Sequence, residues 1–380
     1  MMTEELMMTE SIEIFEDEKF RIFNSKEKKN SFPSAFSVLG NRLYFSTIYN
    51  NLLYEFDLNT NKHKEYVIPT NNSPIPPLYR KAFVYKEKVF FIPENATHFL
   101  IIIDGRLFSM KSNGNYSDSA LINDRLYLLD RERECVDVLN MNTFCYINTL
   151  VLPKQRGDGA NYINLMTDGK TIYVTTDAEK QLYEINLETG YKGWKKTDSI
   201  VCYGVPHEGK IYYTATKKDL DGIYSLDVES GCSKKEASID YDKSIPIHYY
   251  RFWNPQKIGE YIFFCPHEES KIIRYSLKTN EVVYIDEFST GIRSLRPNDH
   301  KAVYGIDFFK DKLIVIPYYG DGISILSMEG KVCKMFKTMV GKRQIYDYIT
   351  TYMEENETNV IDEGILSLDE YIYGVLGEID

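Results

Sequence analysis

The 380-residue sequence holds only two tryptophans, no cysteines spaced Cys-x-x-Cys, and no run approaching the roughly 20 apolar residues that cross a bilayer. The missing apolar run excludes a helical membrane span. The first residues, Met1-Met2-Thr3-Glu4-Glu5-Leu6, are acidic and polar where a secretory leader is basic and then apolar, so a cytoplasmic location is expected. Six cysteines (Cys135, Cys145, Cys202, Cys232, Cys265, Cys333) are scattered through strand-like segments. Their spacing argues against a zinc site and a disulfide framework and points to reduced, packed thiols. Neither a metal nor a cofactor is expected. Basic charge is also short, 45 Lys+Arg against 56 Asp+Glu, for a formal charge of -11. The pairs Lys28-Lys29, Lys217-Lys218 and Lys234-Lys235 lie far apart, and a phosphate backbone would be repelled, so nucleic acid is not an expected partner. There is no Gly-x-Ser-x-Gly, His-Glu-x-x-His, Gly-x-x-x-x-Gly-Lys-Ser/Thr or Gly-x-Gly-x-x-Gly, so the commonest hydrolase, zinc-protease and nucleotide-binding signatures are missing.

What the chain has is aromatic residues, 14% of the total with 31 tyrosines, and a repeat. One apolar triplet recurs seven times: Leu43-Tyr44-Phe45, Val89-Phe90-Phe91, Leu126-Tyr127-Leu128, Ile172-Tyr173-Val174, Ile211-Tyr212-Tyr213, Ile262-Phe263-Phe264 and Leu313-Ile314-Val315. Turn residues precede most copies: Gly40-Asn41, Asn123-Asp124, Asp168-Gly169, Glu208-Gly209, Gly259-Glu260 and Lys310-Asp311. Such residues accept the positive backbone angles of tight hairpins, so each triplet opens the second strand of a hairpin. A second motif, as in Leu182-Tyr183-Glu184-Ile185-Asn186-Leu187-Glu188-Thr189-Gly190, starts ten residues after the triplet in five repeats and twelve after it in one. It reads as a third strand ending in a turn.

Strand, turn, strand, loop, strand, turn, strand over a mean period of 45 residues is the plan of one propeller blade. A blade buries its faces only against neighbours, so the array must close into a ring. The expected fold is an all-β, seven-bladed β-propeller of four-stranded antiparallel blades over residues 34–340, with six and eight blades as the alternatives. The second repeat lacks the second motif. Residues 1–33 form an N-terminal segment in which 12–23 offer a hairpin to complete the last blade. Residues 341–380 read as a short helical extension: Ser367-Leu368-Asp369-Glu370 is a capping box, and Leu368, Tyr371, Ile372, Val375 and Leu376 follow at helical spacing. The rival reading pairs Glu370 to Leu376 with the N-terminal hairpin in an eighth blade. A monomer is expected, its apolar stripes docked on its own side.

Through Gly169-Lys170-Thr171-Ile172-Tyr173 and Leu182-Tyr183-Glu184-Ile185-Asn186-Leu187-Glu188-Thr189-Gly190 the repeat resembles the quinoprotein-like and Kelch-like propeller families over about residues 34–337. The resemblance implies the fold. Quinone-dependent members carry tryptophan motifs in each blade and adjacent cysteines, and this sequence has neither.

Propellers bind ligands where the loops entering the innermost strands meet those joining second to third strands. Counting ten residues back from the triplets reaches Tyr79, Tyr116 and Tyr162, and the corresponding stretch before the sixth triplet includes His248, Tyr249, Tyr250, Arg251 and Trp253. Arg80, Arg293, Arg296 and His300 fall in the same class of loop, and Tyr318, Tyr319 and Asp321 in the other. Aromatic planes with arginines suit a protein, peptide or saccharide ligand. The competing assignment wedges the tyrosines between blades. No catalytic residue is identified, and the expected function is non-enzymatic recognition or scaffolding over the central channel. The alternative is a lyase or hydrolase acting on a glycan or peptide.

Overall fold

In six blades the apolar triplet lies in a strand buried on both faces, which is why it reads as a continuous apolar run, and in blade 5 Tyr212 is half-buried. In blade 2, Val89 and Phe91 pack with Tyr66 and Leu53 of the preceding blade, whereas Phe90 packs with Leu126 and Phe144 of the following one. Leu126, Leu128 and Tyr127 divide the same way in blade 3. Every blade therefore supplies half of two apolar layers. The ring closes by the same packing, because Leu43 and Phe45 of blade 1 share one cluster with Leu313, Val315 and Ile325 of blade 7.

A computed structural model of the chain describes residues 12–14, 28–30, 33–47, 52–60, 62–68, 78–154, 161–214, 221–240, 251–288, 303–317, 322–337 and 339–341. Seven antiparallel blades, each with four strands consecutive in the chain, form the propeller. They run from Pro33–Leu39 to His63–Val67, Tyr79–Tyr85 to Arg106–Lys111, Tyr116–Ile122 to Cys145–Val151, Tyr162–Thr167 to Lys192–Lys196, Gly204–His207 to Ser233–Ser238, Phe252–Ile258 to Val282–Ile285, and Val303–Phe309 to Val332–Lys337. The chain is thus all-β among the described residues, and the blade number is seven.

The repeated motifs are turn chemistry. Gly40, Asn123, Gly169, Gly259 and Lys310 hold the positive φ that a tight first hairpin requires. At the third-to-fourth-strand turn, Asp57 Oδ1 accepts from the Asn59 and Thr60 amides, both at 2.8 Å, and Asn186 Oδ1 accepts from those of Glu188 and Thr189. Asn140, Asp227, Ser276 and Ser327 cap the same turn. Blade 2 lacks the motif because it turns there on two residues, Asp104 and Gly105, at φ 49° and 72°. A two-residue turn has no third amide to cap.

Of the segment 12–23, only Ile12–Ile14 is described, and it pairs antiparallel with Arg106–Lys111 as a fifth strand on blade 2. Blade 7 draws four strands from its own residues. Lys28–Asn30 pairs with Met339–Gly341. The expected C-terminal helices lie outside the described residues. Cys135, Cys202 and Cys265 are buried as packed thiols, but Cys145, Cys232 and Cys333 are exposed. The fourth strand is the blade's outer edge, where one face has no neighbour to cover it.

Candidate functional site

In six blades the first strand shifts register directly after its opening residues: Pro33/Phe36, Tyr79/Lys81, Tyr116/Asp118, Tyr162/Asn164, Trp253/Gln256 and Val303/Gly305. A bulge adds one residue to a strand and re-aims its side chains. The added residues Arg80, Ser117, Ile163, Asn254 and Tyr304 line the axial channel, and Tyr203 joins them from blade 5. This channel, about 600 Å³, is walled by the first strands of all seven blades.

One position earlier the side chains face sideways. Tyr79, Tyr116 and Tyr162 are 1%, 0% and 2% exposed and sit in the layers between blades. Tyr116 donates its hydroxyl hydrogen to Asp137 at 2.7 Å, and Tyr162 donates to the Pro153 carbonyl while stacking on Trp194. Tyr79 stands edge-on to Phe91. Trp253, 7% exposed, donates its indole N–H to the Val303 carbonyl at 2.6 Å, and Arg251 pairs with Glu269 in a buried salt bridge. Of the sequence candidates that are described, Arg80 alone lines the channel. His248, Tyr249, Tyr250, Arg293, Arg296, His300, Tyr318, Tyr319 and Asp321 lie outside the described residues.

Sequence reasoning missed Lys81, Asp118, Asn164, Tyr203, Tyr304 and Asp307. A count of nine residues before the triplet, instead of ten, would have reached Arg80, Ser117, Ile163 and Tyr304. The wall is polar and internally paired. Arg80 meets Glu94 at 3.0 Å, and Lys81 meets Asp118 at 2.8 Å. Asp118 also accepts from the amides of Ser119 and Leu165 at 2.7 Å, which ties blade 3 to blade 4. Tyr304 of blade 7 reaches past blade 1 and donates to the Arg80 carbonyl of blade 2 at 2.7 Å. Gly305 permits this approach: a Cβ there would stand 2.8 Å from the Phe36 ring.

The mouth carries a second ring. Glu94, Arg131, Asp177 and His267 each lie five positions after the first triplet residue of their blade, at the head of the second-to-third-strand loop. The amides of Glu94, Asp177 and His267 donate to the carbonyls of Leu78, Asn161 and Arg251 beside the first strand, which fixes these heads at the channel's rim. Among the described residues no group of three or more His, Cys, Asp or Glu side chains could hold a metal ion.

At the other end of the wall, burial raises the Asp307 carboxyl to about 6, although the Phe308 and Val38 amides donate to its charged form. Between pH 4 and 6 the unfolded chain loses this proton before the folded one, so the group's contribution to stability falls as pH rises through that window and is level above it. Asp307→Asn, which has no carboxyl to titrate, is therefore expected to lose this slope, read by urea unfolding at several pH values.

No family model and no curated protein sequence matches the chain. Solved structures do. Virginiamycin B lyase from Staphylococcus aureus is 12% identical, with 77% of this chain and 95% of that one covered at a TM-score of 0.56. The WD40 domain of Neurospora crassa Pan2 is 9% identical, covering 80% and 94%, at 0.51. Dihydro-heme d1 dehydrogenase NirN, solved in complex with DHE, is 13% identical, covering 85% and 70%, at 0.50. At such identities these likenesses carry the propeller fold alone, and enzymes stand among them beside a WD40 domain.

Proposed function

We propose that this propeller is a non-enzymatic recognition module that holds a protein, peptide or saccharide ligand at the mouth of its axial channel. The observation that carries this reading is the bulge ring: five blades turn an extra residue inward at one level, and Arg80, Tyr203, Asn254 and Tyr304 collect there. Rigid aromatic and guanidinium groups on a fixed scaffold give contact area at small entropic cost. The wall's two carboxylates favour recognition over catalysis. Asp118 and Asp307 each accept a backbone amide of the next blade, which commits both to joining blades.

The test is quantitative capture from cell lysate with wild type and Asn164→Trp. Asn164 lines the channel, and its side chain makes no hydrogen bond among the described residues, so the larger ring obstructs the channel without removing a contact. Ligand recovered with wild type is expected to be lost with Asn164→Trp and to remain chemically unchanged when incubated with the protein. Equal recovery by both proteins would refute the site, and conversion of the recovered molecule would replace recognition with catalysis.

A further inference from the structure

Arg80 is matched by Glu94 and Lys81 by Asp118, but Arg131 makes no ion pair among the described residues. Its Nε is shielded from solvent and has no hydrogen-bond partner. Glu94, at the equivalent place in the neighbouring blade, spends Oε1 on Arg80 and leaves Oε2 buried without a partner. Burial raises the Tyr203 phenol, and Arg80 and then Arg131 pull it back down, so both guanidinium groups stand close enough to act on that hydroxyl. Tyr203 and Arg80 themselves line the channel.

A guanidinium nitrogen shielded from solvent without a partner, in the same ring as an open acceptor, carries a desolvation cost that a bound ligand would relieve. We propose that Arg131, with Tyr203 beside it, binds an anionic oxygen group of the ligand, a carboxylate or a phosphate, while Glu94 Oε2 takes an N–H or O–H next to that group. The inference rests on the recognition reading and narrows its ligand to one carrying such an anion. The neutral sugars and uncharged peptide segments that the wider reading admits do not satisfy Arg131.

The test is thermal unfolding of wild type and Arg131→Gln in chloride, acetate or inorganic phosphate at equal ionic strength. Acetate or phosphate is expected to raise the wild-type Tm by about 3 °C over chloride once its concentration exceeds the dissociation constant several-fold, and the responding anion assigns the group. Arg131→Gln is expected to show no such rise. In chloride it is expected to melt no lower than wild type, because it sheds a charge that has no ion-pair partner among the described residues. A flat wild-type response to both anions overturns the proposal, as does an equal rise in the variant. An Arg131→Gln protein that melts well below wild type in chloride also overturns it, since the arginine is then structural. Ligand capture that is sensitive to Asn164→Trp but accompanied by no anion response would sink this inference alone and leave the recognition reading standing.

Discussion

Arg133→Ala is expected to cost about 3 kcal/mol of folding stability, because it strips two buried carboxylates of the one cation that pairs with them among the described residues. Arg133 Nε donates to Asp130 at 2.7 Å and its Nη2 to Asp137 at 2.5 Å, and those carboxylate side chains are 2% and 1% exposed. The pair lies under the second-to-third-strand loop of blade 3. Gly114 covers it so closely that a Cβ would stand 2.2 Å from Asp130 Oδ2, which leaves little room for water to replace the guanidinium. Arg133 is itself 40% exposed, so the expected cost is the lower end of that for breaking a buried ion pair.

The same site fixes a pH dependence. Burial works to raise the Asp137 carboxyl, but Thr149, Arg133 and Tyr116 all donate to it and hold it below the ordinary aspartate value. A depressed carboxyl contributes stability that is present above the unfolded value, about 4, and lost as pH falls through the folded one. The gap between wild type and Arg133→Ala is therefore expected to be widest near neutrality and to narrow below about pH 4, when protonation relieves the unpaired carboxylates. Urea unfolding at pH 7 and pH 3.5 reads it. A gap of equal size at both values would show that lost packing, not charge, sets the cost.

Trp253→Ala is expected to cost about 3–5 kcal/mol, as large-to-small changes in a packed core do. The indole fills the layer between blades 6 and 7, edge-on to His267 at 4.6 Å and to Tyr304 at 5.9 Å between ring centroids. Its N–H bond to the Val303 carbonyl joins the two first strands. Trp253→Phe keeps much of the packing but leaves that carbonyl without this donor, and is expected to cost about 1–2 kcal/mol. Denaturant midpoints for the two variants check the order. For function the consequence is practical: a binding loss in Trp253→Ala reports a disturbed blade interface, so the channel is better probed at Asn164 and Arg131.

The candidate site was less legible than the fold for a reason that can be located. The seven triplets and the turn caps are local patterns, and both survive translation into structure almost residue by residue. The direction of a first-strand side chain depends on a bulge, and one inserted residue sends its neighbours to the opposite face. Tyr79 and Arg80 are adjacent in the chain, yet one supports the layer between blades and the other lines the channel. No local signal marks the insertion, since Arg80, Ser117, Ile163 and Tyr304 share neither size nor polarity.

By itself the chain dictated the blade and its repetition, because a strand buried on both faces must be apolar throughout and a tight turn must carry residues that accept its angles, while the choice of seven blades over six or eight came with ring closure. Tertiary structure alone decided what meets in the channel. Tyr304 and Arg80 are 224 residues apart and touch only because the ring closes. Glu94 and Asp118 pair with Arg80 and Lys81, whereas Arg131 makes no ion pair among the described residues. Charge balance in a closed ring is a property of the assembled wall, and no stretch of sequence contains it.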